Sequence, residues 1–381
     1  MASKKLGLYI HLPFCESKCY YCDFVSYADK EALQGQYVEA LLKQMVEYAP
    51  YAADYQVDSV YIGGGTPTCV RKELLKVLLE GIHTGFHIMP DAEITCECNP
   101  NSSMKGVLQV LKEGGVNRLS FGLQSVIDEE LQKLGRLHDF HDFMRAYSDA
   151  RALGFSNISV DVMFSLPDQT PERLTNTLDT VIRLAPEHVS AYSLKIEQGT
   201  PFYRMYKDGE LRVPNDEEDR QLYELCVHKL EEAGYGQYEI SNFARPGYQS
   251  RHNLKYWNCE EYIGLGCNAH SYFGGKRFNF MPEIEVYLNQ VLNGGKCIKD
   301  LVEIPYEDAV NEYIMMRLRL NEGIDDEVFL ERFGYRFSTA FRPTIDKYIA
   351  TGHMVQRGSC FALTLEGFNI SNYIIAEFLE F

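Results

Sequence analysis

The sequence predicts an α/β fold: a partial (β/α)6 TIM-like barrel followed by a small α+β, winged-helix-like C-terminal domain. Six short apolar runs alternate with amphipathic stretches over the first two-thirds of the chain, which is typical of parallel strands joined by right-handed crossovers. Cysteines, a glycine turn and several polar side chains fall at or just past the ends of these runs. Parallel strands gather such groups at one mouth. The periodicity alone fits an open doubly wound sheet as well as a barrel. The clustering of polar groups at one mouth favours a barrel-like cup.

The predicted strands are short, apolar and rich in β-branched residues, and they cover residues 7–11, 58–62, 93–98, 117–121, 158–164 and 189–194. Between them, apolar residues recur with the period of an amphipathic helix. These predicted helices include residues 31–48, 71–85, 140–153 and 171–184.

The pattern changes after residue 197. A long helix is predicted at 217–233, and residues 235–279 are aromatic and glycine-rich with little periodicity. Beyond a predicted domain boundary at 294–305, the chain continues as helices, a strand-like segment and a last helix. These elements are predicted at residues 306–320, 325–333, 338–351, 354–363 and up to 381.

The composition is that of an acidic globular protein. The 381 residues include 37 Lys and Arg against 54 Asp and Glu, a formal net charge of −17. This balance disfavours nucleic acid, whose binding depends on many phosphate contacts. We expect no transmembrane helix, because no run of 18 apolar residues occurs, and no export signal, because the first residues are polar. The eleven cysteines are then expected as thiols, metal ligands or reactive groups in the cytoplasm.

The strongest local signal is a group of three cysteines, Cys15, Cys19 and Cys22, directly after the first predicted strand. Three thiolates can hold one iron–sulfur cluster and leave one of its four irons open. Two alternatives stay open on spacing alone. One is a set of buried thiols on one helix face. The other is a zinc site, whose remaining ligand would be His11, Cys69 or Cys98.

Other polar groups follow the later strands. The turn at 63–67 is Gly-Gly-Gly-Thr-Pro, and glycine lets the backbone approach a ligand closely, although such a turn is often only a turn. Glu97 ends the third strand, where a carboxylate suits the diol of a ribose but equally a helix cap or salt bridge. Gln124, Arg136 and Asp161 are similar candidates.

Seven motifs together resemble one family along essentially the whole chain. The first is Tyr9-Ile-His-Leu-Pro-Phe-Cys15, continued by Cys19 and Cys22, and the others occupy residues 63–67, 120–125, 161–167, 238–243, 252–257 and 264–271. Their order resembles the radical S-adenosylmethionine superfamily, in the branch of coproporphyrinogen dehydrogenases (HemN) and heme chaperones (HemW). The resemblance implies a core barrel at 1–235, an extension at 236–298 and a C-terminal domain at 299–381.

The resemblance also implies the cofactors. Cys15, Cys19 and Cys22 would hold a [4Fe-4S] cluster whose open iron binds S-adenosylmethionine, and an electron from the cluster would break a C–S bond to give a 5′-deoxyadenosyl radical. The residues implied in binding S-adenosylmethionine have distinct roles: Gly64, Gly65 and Thr66 at the methionine end, Arg136 on its carboxylate, Glu97 on the ribose, Gln124 and Asp161 on the nucleoside side, and Tyr9 and Tyr21 beside the cluster.

Two features separate the members of this branch. Coproporphyrinogen dehydrogenases carry a fourth cysteine two residues after the third, where this chain has Phe24. Residues 252–257, His-Asn-Leu-Lys-Tyr-Trp, resemble the heme-binding motif of the chaperones. His252 would ligate heme iron, Tyr256 and Trp257 would contact the macrocycle, and Arg251 and Lys255 would meet the propionates. Composition alone favours a loop histidine that is bonded to the backbone beside a packed aromatic pair, and the resemblance reverses this preference. His270 is a weaker candidate for the heme ligand and is expected to be a structural partner of the glycine-rich loop.

The resemblance therefore implies a heme chaperone that takes heme from a donor protein and delivers it to respiratory acceptor proteins. Peripheral membrane association and a monomeric or homodimeric state are expected. The alternative is an oxygen-independent coproporphyrinogen III dehydrogenase of porphyrin biosynthesis. Radical modification of tRNA is disfavoured by the net charge of −17.

Overall fold

A computed structural model describes residues 4–100 and 104–379 of the chain. Their strands form a twelve-stranded sheet and a three-stranded sheet. The strands are β1 (Lys4–Leu12), β2 (Tyr55–Gly64), β3 (Ile88–Cys98), β4 (Arg118–Gln124), β5 (Ile158–Phe164), β6 (His188–Ser193), β7 (Gly236–Glu239), β8 (Asn242–Ala244), β9 (Tyr262–Leu265), β10 (His270–Phe273), β11 (Lys276–Phe280), β12 (Ile298–Glu303), β13 (Ile324–Asp325), β14 (Met354–Arg357) and β15 (Cys360–Leu363).

The α-helices of the described residues connect and cover these strands. They are α1 (Gln34–Tyr48), α2 (Lys72–Gly85), α3 (Lys105–Glu113), α4 (Asp128–Lys133), α5 (Phe140–Ala152), α6 (Pro171–Leu184), α7 (Pro201–Lys207), α8 (Asp216–Glu232), α9 (Arg251–Trp257), α10 (Ile284–Leu292), α11 (Tyr306–Arg317), α12 (Asp326–Phe333), α13 (Phe337–Ala340), α14 (Arg342–Ala350), α15 (Leu365–Asn369) and α16 (Ser371–Leu379).

The partial barrel is confirmed. Strands β1 to β6 lie side by side in chain order and every neighbouring pair is parallel. The barrel does not close, because β1 pairs on its free side with β9 and β6 pairs with β8. Since parallel strands end at the same edge, the carboxyl ends of β1 to β6 form one mouth.

The helices pack on the barrel strands through a large apolar core. Every residue of β4 is buried, and α2 turns Leu75, Leu78, Leu79 and Ile82 onto the sheet. Such nearly continuous burial is expected for parallel strands covered by helices.

Beyond β1 the sheet continues as β9, β10, β11 and β12. Residues 235–279, which lack periodicity, thus contain several strands of three to five residues, too short to show a pattern. Strand β12 forms the outer edge, and all six of its residues are exposed. The proposed extension at 236–298 therefore shares its sheet with the core, and its boundaries stay a prediction.

The other departures from the predicted elements have local causes. Residues 31–33 form a 3-10 turn before α1. The predicted helix at 338–351 is divided into α13 and α14, because Pro343 starts a new helix. The strand-like segment at 354–363 is a hairpin that turns at Gly358, whose φ is +64°. The last predicted helix is α15 and α16, and residues 380–381 lie outside the described part.

The small C-terminal domain has its own core, separate from that of the barrel. Helices α11 to α16 surround the three-stranded sheet β13–β15–β14. Phe329 is fully buried at the centre, where its ring lies 4.8 Å from that of Phe333 and 5.5 Å from that of Phe337. In the described residues, we find no helix with the length and apolarity needed to cross a membrane.

We expect Phe329→Ala to lower the free energy of unfolding of the C-terminal domain by about 3–5 kcal/mol, because a buried ring is replaced by a cavity. Urea denaturation followed by circular dichroism measures this loss. Tyr373→Ala is the matched control, because that ring is 64% exposed in the same domain. A loss below about 1 kcal/mol in Phe329→Ala would contradict the assignment of Phe329 to the core.

Candidate functional site

A cavity of about 450 Å³ opens at the carboxyl ends of the barrel strands. It brings together the three cysteines and nearly all of the residues that the sequence predicted for S-adenosylmethionine. Its lining includes Cys15, Cys19, Tyr21, Cys22, Gly64, Gly65, Thr66, Glu97, Gln124, Arg136 and Asp161. Of the predicted set, Tyr9 lies in a neighbouring cavity.

The cysteine loop is fixed by backbone hydrogen bonds. Cys15 N donates to Tyr27 O at 3.0 Å, and Cys22 N donates to Cys19 O at 3.2 Å. Burial raises the pKa of the Cys15 and Cys22 thiols. Both are therefore neutral at pH 7 in the metal-free protein, and binding iron would require them to lose their protons.

Two polar side chains approach the cysteine sulfurs. Thr66 Oγ1 lies 3.7 Å from Cys15 Sγ, and Arg136 Nη1 lies 3.5 Å from Cys19 Sγ. Hydrogen bonds to ligand sulfurs stabilise the negative charge of a cluster and shift its potential. The donor set, three thiols with hydrogen-bond donors beside them, fits an iron–sulfur cluster.

The zinc alternative has no preformed site. Across 4–100 and 104–379, no three side chains of His, Cys, Asp or Glu converge closely enough to hold one metal ion. His11, one of the proposed zinc ligands, has both ring nitrogens in hydrogen bonds, to Tyr9 Oη at 2.9 Å and to Val25 O at 3.0 Å. A cubane spreads its ligand sulfurs over several irons, so the same observation does not count against it.

The glycine turn after β2 has no room for side chains. A Cβ on Gly65 would lie 2.6 Å from Phe14 O, and one on Gly64, whose φ is +111°, would lie 2.4 Å from His11 Nδ1. The N–H groups of Gly64, Gly65 and Thr66 donate to Glu97, Leu12 and Phe14. The turn can therefore offer only carbonyl oxygens and the Thr66 hydroxyl to a ligand.

Two carboxylates face the cavity from β3 and β5, the strands on either side of β4. Glu97 accepts from Tyr61 Oη at 2.9 Å and from Gly64 N at 3.1 Å, and Asp161 accepts from Ser120 Oγ at 3.2 Å. Burial raises the pKa of Glu97 to about 7 and also raises that of Asp161. Carboxylates held in this way can accept hydrogen bonds from the hydroxyls of a ribose.

Arg118 is a site residue that the sequence analysis missed. It starts β4 with its side chain in the cavity, it is only 1% exposed, and its Nε has no hydrogen-bond partner. Arg136 Nε is also buried without a partner. Unpaired buried donors are costly, so both guanidinium groups are suited to a bound anion. A charged residue inside a predicted apolar strand was the available signal for Arg118.

Gln124 reaches the cavity through a backbone irregularity. The β4–β5 pairing shifts register between Gly122 and Gln124, and Gln124 has φ +71°. A non-glycine residue in this conformation is uncommon and often marks a functional position.

A second cavity, of about 530 Å³, lies next to the first. The two share Asp23, Phe24, Gly64 and Glu97 in their linings. Phe24, at the position where coproporphyrinogen dehydrogenases carry a fourth cysteine, is 66% exposed at this shared border. The second cavity is lined otherwise by tyrosines, by Lys255 and Arg277, and by residues of β9, β10 and α11.

The structure places the predicted heme motif on α9, with its histidine inside the protein. His252 is 0% exposed, and its ring makes hydrogen bonds with Ser59 Oγ at 3.0 Å and Tyr256 Oη at 2.8 Å. Burial lowers the pKa of His252 to about 3. Tyr256 lines the second cavity, whereas His252 and Trp257 do not.

The two basic side chains at this motif, those of Lys255 and Arg251, also have partners within the protein. Lys255 Nζ lies 2.8 Å from Asp58 Oδ1 and 3.2 Å from Glu260 Oε2. Arg251 Nη1 donates to Asp91 O at 2.7 Å. In this conformation His252 reaches heme iron only by giving up one of its hydrogen bonds, so its ligand role stays a prediction.

Two family models match the chain. Residues 9–181 match the radical SAM superfamily, and residues 304–370 match the HemN C-terminal domain. The first match contains the three cysteines and the carboxyl ends of β1 to β5, whereas the end of β6 lies beyond it. The second falls within the small C-terminal domain.

Two relatives match from end to end. A Bacillus subtilis protein described as "Heme chaperone HemW" is 37% identical, over 97% of this chain and 98% of its own length. The Escherichia coli protein of the same description is 34% identical, over 98% of both chains. Among solved structures, coproporphyrinogen III oxidase (HemN) from Escherichia coli superposes with a TM-score of 0.86 over 99% of this chain and 90% of that chain, at 24% identity. This likeness shows a shared fold.

Glu97 makes the stability of the metal-free protein depend on pH. Its pKa rises from an ordinary 4.5 to about 7 on folding, so the favourable contribution of the protonated carboxyl is lost as the pH rises from about 4.5 to 7. We expect the free energy of unfolding of the wild type to fall over this range by about 2–3 kcal/mol relative to that of Glu97→Gln. Urea denaturation at a series of pH values measures the difference.

The control for this measurement is Glu80→Gln, which changes an exposed carboxylate on α2. Its unfolding curve should follow that of the wild type at every pH. A difference between the wild type and Glu97→Gln that does not change with pH would show that Glu97 has an ordinary pKa.

Proposed function

The chain belongs to the HemW family of the radical SAM superfamily, and on that premise we propose that it binds heme and delivers it to acceptor proteins. The proposal rests on the end-to-end similarity to relatives described as heme chaperones. Membership of the superfamily implies a [4Fe-4S] cluster and S-adenosylmethionine. Heme is not implied by membership of the superfamily, and its binding as the transported cargo is what we propose here.

Cys15, Cys19 and Cys22 are the proposed cluster ligands. They share one cavity, and Thr66 and Arg136 donate toward two of their sulfurs. When bound, the cluster supplies an electron at low potential and one open coordination position. The protein's own part is to surround the sulfurs with hydrogen-bond donors and limit their contact with water.

S-adenosylmethionine is proposed to occupy the rest of the first cavity. The carbonyls of Gly64 and Gly65 and the Thr66 hydroxyl would bind its amino group, and Arg136 would pair with its carboxylate. The buried carboxylates Glu97 and Asp161, with Gln124 and Tyr21, would bind the nucleoside. Tyr9 would act from the adjoining cavity through His11, to which its hydroxyl is hydrogen-bonded.

The heme motif on α9 is proposed to form one wall of a heme site in the second cavity. Tyr256 supplies that wall directly and packs edge-to-face against Tyr262, at 4.6 Å between ring centroids. His252 orients Tyr256 through their 2.8 Å hydrogen bond. Trp257 continues the helix outside the cavity, where it is half-buried.

The alternative function is oxygen-independent coproporphyrinogen III dehydrogenase, whose fold this chain shares. Phe24 argues against it, because the position where those enzymes carry a fourth cysteine is apolar and exposed here. The relatives described as chaperones are also more similar in sequence.

Heme donor proteins and respiratory acceptor proteins are the partners that this function requires. We place the exchange in the cytoplasm, with peripheral membrane association where acceptors are membrane-bound, and with the protein as a monomer or homodimer. RNA is not a proposed partner, because a net charge of −17 opposes phosphate binding.

Alanine substitution of Cys15, Cys19 or Cys22 should prevent cluster assembly. After anaerobic reconstitution, we expect about four iron and four sulfide per chain in the wild type and little of either in each variant. Cys360→Ala is the control, because this half-buried thiol lies in the C-terminal domain. Zinc in place of iron in the wild type, or full iron in the three variants, would rule out the proposed cluster.

Heme transfer is the test of the proposed function. We expect the protein loaded with one hemin to pass it to an apo-cytochrome, seen as growth of the cytochrome Soret band during anaerobic mixing. The same preparation, given coproporphyrinogen III, S-adenosylmethionine and a reductant, should form no vinyl product by chromatography. Vinyl product at enzymatic turnover without heme transfer would favour the dehydrogenase instead.

A further inference from the structure

We propose that His270, at the start of β10, is the axial ligand of heme iron, and that the porphyrin lies in the second cavity between Tyr256 and Arg277. This inference rests on the proposed heme-binding function and assigns its iron-binding residue. It differs from the prediction that His252 on α9 is the ligand.

The second cavity has the size and surface of a site for a flat aromatic ligand. Its volume of about 530 Å³ falls within the range of about 300–1,000 Å³ found for cofactor sites. Four tyrosine side chains, those of Tyr9, Tyr256, Tyr262 and Tyr272, contribute to its walls. Phe24 adds an exposed apolar ring at the border with the first cavity. Such rings provide apolar faces on which a macrocycle can stack.

His270 differs from His252 in both access and bonding. It lines the cavity and is exposed, and no other described residue makes a hydrogen bond with its ring. Its contact with the glycine-rich loop is made by its backbone, since a Cβ on Gly264 would lie 2.2 Å from His270 O. Burial and the nearby charge of Arg277 lower the pKa of His270. A neutral imidazole with an available nitrogen is what ferric or ferrous heme binds.

His252, in contrast, already uses both ring nitrogens. Binding iron would require it to break the bond to Ser59 or to Tyr256, and Tyr256 stands between it and the cavity. His11 is unavailable for the same reason, because its two ring nitrogens are hydrogen-bonded to Tyr9 Oη and Val25 O. His270 is thus the one histidine among those lining the cavity, within the described residues, whose ring needs no rearrangement.

Arg277 provides a place for a propionate. It lines the cavity, and its Nε is buried without a hydrogen-bond partner, while Nη2 is 2.8 Å from Glu312 Oε2. A propionate oxygen would satisfy the unpaired donor. Lys255 is less available, because Asp58 and Glu260 already neutralise its charge.

A second iron ligand is within the same cavity. Met316 on α11 contributes to the lining, as does the buried thiol of Cys259. A thioether opposite a histidine is an established pair of heme ligands. Met316 is therefore the residue we assign as a second iron ligand, and it is separate from the cluster cysteines.

The test is hemin titration of the full-length protein with its cluster reconstituted, comparing the wild type with His270→Ala and His252→Ala. We expect His270→Ala to weaken hemin binding by about tenfold or more and to abolish the low-spin signature in electron paramagnetic resonance. Added imidazole should restore that signature in His270→Ala. His87→Ala is the matched control, since this exposed histidine lies at the start of β3, on the side of the sheet away from the mouth.

Binding of S-adenosylmethionine and the melting temperature of each variant show whether it is folded. If His270→Ala binds hemin like the wild type with an unchanged spectrum, His270 is not the ligand. The proposal would also be overturned if His252→Ala lost the low-spin signal and regained it with imidazole while His270→Ala kept the signal. That result would leave the chaperone function intact. Failure of the wild type to bind hemin would overturn the proposed function itself, and this inference with it.

Discussion

The structure depends on one constraint, that six parallel strands end at the same edge of an unclosed barrel. Their carboxyl ends and the loops that follow place three thiols, two carboxylates and the Arg136 guanidinium around one cavity, and Arg118 reaches the same cavity from the start of β4. Most of these groups have partners within the protein: Glu97 accepts a hydrogen bond from Tyr61, and Asp161 accepts one from Ser120. Arg118 and Arg136 each keep a buried Nε without a hydrogen bond. A bound anion is the simplest way to offset such a cost.

The strands added beyond β1 border a second cavity beside the first. Because β9 pairs parallel to β1, its carboxyl end lies at the same edge as the barrel mouth. The following hairpin places His270 toward that edge and Arg277 level with the amino end of β9, and α9 adds Tyr256 to the wall of the cavity that all three line. Two cavities of similar size therefore adjoin, one rich in thiols and charges and the other in tyrosines. This pairing suits a protein that holds a cluster and a macrocycle at once.

Much of the site could be predicted because its residues follow strands with strong apolar patterns. The cysteine loop, Glu97 and Asp161 were recognisable at strand ends, and the structure gathers them in one cavity. Arg118 was missed because a charged residue inside a buried strand looks like a strand boundary. The contrast between His252 and His270 could not be seen, since the partners of an imidazole, here Ser59 and Tyr256, are distant in sequence or one turn away.

The wall common to the two cavities has a practical consequence for genetics. Gly64 and Glu97 border both spaces, so an allele altered at either position would disturb nucleoside and porphyrin recognition together, and its phenotype could not be attributed to one of them. Arg118 touches the first space alone and Arg277 the second alone. Separation-of-function alleles should therefore be sought at those two arginines.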